Sequence, residues 1–242
     1  MGEIIAKEKS VAVPGELLAR GMDCLPSFGT YRLGEDIYSC RLGLVNVQGK
    51  VVKMIPLAGV YTPKQGDVII GKVTDVLIHG WRLDINSAYS AMLSLKDGTT
   101  EFVARGADLT KYFSLGDLVM TSVSNVTSQK LVDLSMRGQG LRKLEGGQVI
   151  KVNCNKVPRV IGKQGSMVSM IKNATGCKIL VGQNGLIWID GAPDQEVIAI
   201  CAIRMIESKS HVSGLTDTVK NFLEESTGKK VESRQREPAD QE

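Results

Sequence analysis

Lys156-Val157-Pro158-Arg159-Val160-Ile161-Gly162-Lys163-Gln164-Gly165, continuing through Ser166-Met167-Val168-Ser169-Met170-Ile171, decides how the C-terminal part of this chain is read. A short apolar segment with an early proline predicts a first helix. Gly162-Lys163-Gln164-Gly165 then predicts a tight turn. Met167, Met170, Ile171 and Ala174 fall at i, i+3, i+4 and i+7, which makes one apolar face of a second helix. Gly176 stands where a helix C-cap belongs. A G-x-x-G tetrapeptide by itself is most often only a turn. Between two helices it gains a chemistry. Glycines let the main chain approach a phosphate with no Cβ in the way. The second helix aims its free N–H groups and positive dipole end at the anion. Lys163 adds a full charge, and Arg159 supports it from the first helix.

The flanking pattern extends this unit. Gln148 to Val152 reads as a strand. Lys178-Ile179-Leu180-Val181 and Leu186-Ile187-Trp188-Ile189 read as two more, joined by Gly182-Gln183-Asn184-Gly185. Asn-Gly between apolar runs is a hairpin signal. Pro193 and Asp194 open a last helix, with apolar residues from Val197 to Ile206. The order strand, helix, G-x-x-G, helix, strand, strand, helix over residues 147–212 resembles a KH domain of the first type. That resemblance implies an α/β unit whose Arg159, Gly162, Lys163, Gln164 and Gly165 hold a single-stranded nucleic-acid backbone.

Residues 1–62 read as short strands with frequent glycines, which favours a small antiparallel barrel or sandwich. The expectation is a structural module without chemistry, its surface free to dock a partner. Residues 63–140 form a second β unit. In His79-Gly80-Trp81-Arg82-Leu83-Asp84-Ile85, Trp81, Leu83 and Ile85 share one face and Arg82 and Asp84 the other. Five predicted strands with a long connection between the third and fourth match an OB barrel. The runs Gly66 to Val73, His79 to Ile85, Gly116 to Met120 and Val132 to Arg137 resemble the S-one type of that fold. That family carries surface aromatics in its second strand and a histidine after the third. Here the matching positions hold His79, Arg82 and about Leu93, of which His79 alone is a ring. The barrel is therefore expected to track phosphates through His79, Arg82, Arg105 and Arg137 rather than to stack bases. For Arg82, a merely solvated strand face is an equal alternative. Residues 213–242 read as a short helix carrying Val219, Phe222 and Leu223, then a charged, apolar-poor tail expected to be disordered.

The three modules in this order, with Val13-Pro14-Gly15-Glu16, Gly29-Thr30-Tyr31, Tyr61 to Asp67 and Gly182 to Trp188, resemble the RNA-binding cap subunits of the archaeal exosome. The resemblance runs to about residue 225 and is to the KH-bearing type, since the cysteine pairs of the zinc-ribbon type are missing. It implies a non-catalytic component of a trimeric cap. The cap sits on a hexameric ring of RNase PH-like subunits, which degrades RNA from the 3′ end with phosphate as the attacking group. The S-one barrels would surround the pore, the N-terminal modules would contact the ring, and single-stranded RNA would be fed through.

Composition bounds the alternatives. A net charge of +4 permits polyanion binding without demanding it, and 5% aromatic residues leave few stacking platforms. The five cysteines form no C-x-x-C pair and there are two histidines, so neither a metal nor another cofactor is expected. No nucleophile elbow, P-loop or H-E-x-x-H pattern occurs, which argues against an enzyme. Asp84 and Asp133 are the carboxylates a metal nuclease would start from, and such a site needs several more. No apolar run spans a membrane and the N-terminus lacks a signal-peptide core, so a cytoplasmic protein with no membrane partner is expected. A free-standing RNA-binding regulator is the alternative, since KH and S-one modules occur there too. A nuclease subunit with its own active site is the third.

Overall fold

The structure is a computed structural model that describes residues 3–99, 108–210, 212 and 214–228. Arg105 and the charged stretch 229–242 lie outside the described residues. The chain divides into two units, residues 1–59 and residues 60–242.

The first unit is all β. Its strands are β1 (Glu3–Ile4), β2 (Val11–Ala12), β3 (Leu17–Arg20), β4 (Leu25–Pro26), β5 (Thr30–Leu33), β6 (Asp36–Ser39), β7 (Gly43–Gln48) and β8 (Val51–Pro56). They form two four-stranded sheets, ordered β1-β3-β6-β5 and β2-β7-β8-β4. Leu18, Ala19 and Ile37 from the first sheet share one core with Ala12, Val45 and Val52 from the second. Strand β3 escapes the sequence pattern for a physical reason. A register shift between Leu17 and Ala19 lets the consecutive residues Leu18 and Ala19 both point inward, which breaks the alternation that marks a strand.

The second unit begins with a barrel. Its strands are β9 (Val68–Leu77), β10 (Gly80–Asp84), β11 (Ala91–Ser94), β12 (Leu118–Val126) and β13 (Val132–Ser135), with the short helix α1 (Leu95–Gly98) after β11. The order β13-β11-β10-β9-β12 is closed by pairing of β12 with β13, so no edge is left among the five. Trp81 is fully buried at the centre. Its indole packs edge-on against Phe113 at 5.0 Å and its Nε1 donates to the Phe113 carbonyl at 3.1 Å. A further strand, β14 (Arg142–Leu144), adds to β12.

The rest is β15 (Gln148–Lys151), α2 (Val157–Ile161), α3 (Ser166–Thr175), β16 (Lys178–Val181), β17 (Leu186–Asp190), α4 (Pro193–Ser208) and α5 (Leu215–Thr227). The antiparallel sheet β15-β17-β16 buries both its faces. Ile187 and Ile189 join a core with Val160, Ile171 and Ile203 of the helices, and α5 adds Val219 and Leu223. The alternate residues Leu186 and Trp188, with Leu180 and Val149 beside Trp188, pack against Ile70, Leu118, Met120 and Leu144 of the barrel side. A strand buried on both faces is apolar at every position, which is why Leu186-Ile187-Trp188-Ile189 shows no alternation.

Polar bonds fix how these two halves of the unit meet. Asn184, in the β16–β17 turn, is completely buried. Its Nδ2 donates to the carbonyls of Ile70 at 2.7 Å and Ile85 at 2.8 Å, and its Oδ1 accepts from the Ile70 N–H at 3.4 Å. The Asn184 carbonyl accepts from Asn86 Nδ2 at 2.8 Å, and the Gln183 N–H donates to the Val68 carbonyl at 2.9 Å. Asn184→Ala strands two buried carbonyls and should lower stability by about 2–5 kcal/mol. Asn184→Asp should cost more, because it turns a carboxylate oxygen toward those carbonyls. Urea unfolding measures both, and midpoints equal to wild type would refute the assignment.

Candidate nucleic-acid interface

The G-x-x-G turn links α2 to α3. Val157 and Val160 are buried, whereas Arg159 is exposed. Gly162 has φ 76° and ψ 176°, a region essentially restricted to glycine. A Cβ built there would lie 2.7 Å from both the Met167 backbone nitrogen and the Met167 Cβ. Gln164, at φ 53° and ψ 28°, and Gly165, at φ 78° and ψ 11°, follow in left-handed conformation. A Cβ on Gly165 would meet nothing within 4 Å. The two glycines therefore do different work: Gly162 lets α3 pack closely on the end of α2, while Gly165 leaves the start of α3 open to solvent.

No side chain caps α3, and the Ser166 N–H donates back to the Lys163 carbonyl, so what the helix offers at the exposed turn is chiefly the positive end of its dipole. Met167, Met170, Ile171 and Ala174 anchor the helix in the core, and Gly176 ends it at φ 70°. Lys163 and Gln164 are exposed beside that end. Neither Arg159 nor Lys163 has an ion-pair partner among the described residues. Lys156 is committed elsewhere: its Nζ donates to the Glu207 carbonyl at 2.8 Å. The result is two exposed cations beside the positive end of a helix, a constellation suited to one or two backbone phosphates.

The barrel residues are differently placed. His79 is exposed in the β9–β10 turn, and its carbonyl accepts from the Leu95 N–H at 3.0 Å. Arg82 is exposed on β10, opposite Met92 of β11, with its guanidinium 3.6 Å from the Asp75 carboxylate. Arg137 donates to the Lys96 carbonyl at 2.7 Å and lies 3.5 Å from Asp97. His79 and Arg137 thus gather around α1 at one end of the barrel, while Arg82 lies along its side. Both arginines share their charge with a neighbouring aspartate. Leu93, matched to a surface ring position, is instead fully buried in the barrel core, because it alternates with the outward Met92. Arg105 falls outside the described residues. Among the described residues, no three His, Cys, Asp or Glu side chains gather as a metal site requires.

Local sequence logic missed Asn86 and Asn184, whose partners lie about a hundred residues apart in the chain. The Asn184-Gly185 pair did announce a turn, but nothing local showed that its carboxamide would be buried. For the turn itself, Gly162→Ala should cost about 3 kcal/mol through combined strain and overlap with Met167. Gln164→Gly should be neutral or stabilising by less than about 1 kcal/mol, because relief of left-handed strain offsets the extra chain entropy. Denaturation midpoints decide this, and an unperturbed Gly162→Ala would refute the packing role.

Comparison with known proteins covers the same three segments. A family model for the KH domain matches residues 147–195, one for the RRP4 S1 domain matches residues 60–125, and one for the N-terminal domain of the exosome RNA binding protein RRP4 matches residues 9–58. The exosome complex component Rrp4 of Pyrococcus furiosus is 43% identical over 227 residues, covering 92% of this chain and 86% of the relative. That of Methanothermus fervidus is 43% identical over 221 residues, covering 91% and 97%. A crystal structure provisionally described as an exosome complex RNA-binding protein is 35% identical, covers 69% of this chain and 97% of its own, and superposes with a TM-score of 0.64. With three modules matched in order and two-fifths identity sustained over nine-tenths of its length, the chain belongs to the archaeal Rrp4 family of exosome complex components.

Proposed function

We propose that this chain is a non-catalytic RNA-binding subunit of a cytoplasmic exosome. Three copies form a cap on a hexameric ring of RNase PH-like subunits, capture single-stranded RNA and feed its 3′ end to phosphorolytic degradation. The KH unit of residues 147–212 holds backbone phosphate through Gly165, Lys163, Gln164 and Arg159, with Gly162 shaping the turn. The S1 barrel of residues 63–140 adds contacts from His79, Arg82, Arg105 and Arg137. The observation that carries this reading is the exposed turn at the start of α3, without a side-chain cap and flanked by two cations that no described residue neutralises. Membership of a family of exosome components supports the assembly. So do the exposed apolar side chains of the first unit, among them Ile5, Val11, Val13, Leu25 and Leu33, which suit a module that docks on other subunits better than one that works alone. A free-standing regulator would have no use for that surface. No described helix is long and apolar enough to cross a membrane.

The turn is tested by replacing Lys163 and Gln164 together with aspartate. Both side chains are exposed, and aspartate tolerates the left-handed conformation at 164, so the fold should survive. Two negative charges at the anion-binding end should weaken RNA binding at least tenfold and reduce the salt slope by about one. Equal affinities in two folded proteins would assign the turn to packing alone.

The assembly is tested with labelled RNA and phosphate. The chain alone should leave the RNA intact, and adding it to an RNase PH-like ring should speed decay and raise RNA affinity. Decay by the chain alone, beyond a mock purification, would overturn the non-catalytic role. A ring indifferent to the chain would favour the regulator.

A further inference from the structure

Tyr89 lies in the loop between β10 and β11, at the far end of β10 from His79. It is 43% exposed and is the one exposed Phe, Tyr or Trp among the described residues of the second unit. Every other described Phe, Tyr or Trp there is buried or half-buried: Tyr61, Trp81, Tyr112, Phe113, Trp188 and Phe222. Its ring stacks on no other described aromatic residue, and its hydroxyl bonds no described residue.

The loop that presents it is held at successive points. The Ile85 carbonyl accepts from Asn184 Nδ2 at 2.8 Å. The Asn86 N–H donates to Asp84 Oδ1 at 2.9 Å, and Asn86 Nδ2 donates to the Asn184 carbonyl at 2.8 Å. Ser87 pairs with Tyr61 in an isolated parallel bridge, and the Tyr89 N–H donates to Ser87 Oγ at 3.4 Å. The loop is therefore bonded to both the barrel and the KH turn, and it carries an idle ring.

Its surroundings select the partner. Asn86, Ser87, Ala88 and Ser90 flank Tyr89 in the chain, so its own loop offers no second large apolar side chain. A protein interface wants a cluster of apolar side chains, whereas one nucleobase needs a single ring face. Lys72 is exposed on β9, directly across from Asp84 at the base of the loop. It has no ion-pair partner among the described residues, and one Asp84 oxygen is taken by Asn86. An exposed ring and an exposed cation at the same end of the barrel strands form the combination that binds single strands, the base stacking while the charge meets phosphate. Five residues of β10 put this loop about 16 Å from the His79 turn, at about 3.3 Å per residue.

We propose that Tyr89 is a base-stacking site for single-stranded RNA at the junction of barrel and KH unit, with Lys72 on the adjoining phosphate. The proposal rests on the RNA-binding function above and adds a contact at the opposite end of β10 from His79. Because every base offers a π-face, the site is indifferent to sequence.

The test uses the full chain, a single-stranded RNA oligomer and an oligomer of equal length with abasic ribose-phosphate units. Tyr89→Phe should bind within about twofold of wild type. Tyr89→Ala should bind the base-bearing RNA about fivefold to a hundredfold more weakly, with an unchanged salt slope. Lys72→Ala should lower the slope by about one. On the abasic oligomer, wild type and Tyr89→Ala should bind alike. If Tyr89→Ala matched wild type on base-bearing RNA while the Lys163/Gln164 double aspartate variant still weakened it, the stacking site would be refuted and the RNA-binding function kept. An equal loss on the abasic oligomer would also refute stacking. A wild-type chain that bound neither oligomer would overturn the RNA-binding function itself.

Discussion

The carboxamide of Asn184 is the contact on which the arrangement of residues 60–228 depends. Trp188, Ile70 and Leu144 supply much of the apolar contact between barrel and KH sheet, but apolar contact has no direction and tolerates sliding. A buried amide does have direction. Its two donors must find acceptors and its oxygen a donor, or each unmade bond costs about 1–3 kcal/mol. Ile70 of β9 and Ile85 beyond β10 meet all three needs in the observed register. One side chain thereby sets how the barrel face, the β10–β11 loop and the G-x-x-G turn are presented together.

The turn shows how one motif can serve packing and binding at once. Gly162 is needed inside, where α3 crowds the end of α2, and Gly165 is needed outside, where a ligand can approach. Between them Gln164 holds a strained left-handed conformation without being glycine. Such strain persists only where the surroundings over-determine it, here the two helices anchored in one core.

Charge is distributed with similar economy. A net charge of +4 over 242 residues makes no strong long-range field, so location matters more than number. Arg82 and Arg137 each share an aspartate, which restrains the guanidinium and lowers its pull on phosphate. Arg159, Lys163 and Lys72 are exposed without such a partner among the described residues.

The KH and barrel strands were legible before any coordinates, because their signals are local. Met167, Met170, Ile171 and Ala174 repeat at the helical period, and Trp81, Leu83 and Ile85 alternate at the strand period. The turn of residues 162–165 was legible too, since glycine spacing is a backbone property. Strand β3 was not, because a register shift puts Leu18 and Ala19 on one face. Leu93 was misplaced on the surface because a family position was carried over where this chain's own alternation points inward. The roles of Asn184 and Asn86, the pairing of Arg82 with Asp75 and the isolation of Tyr89 all depend on which segments meet. Periodicity reports which way a side chain faces, whereas its partner is chosen by tertiary contact between distant segments. For a polar side chain, whose energy lies almost wholly in that partner, the decision belongs to the folded molecule.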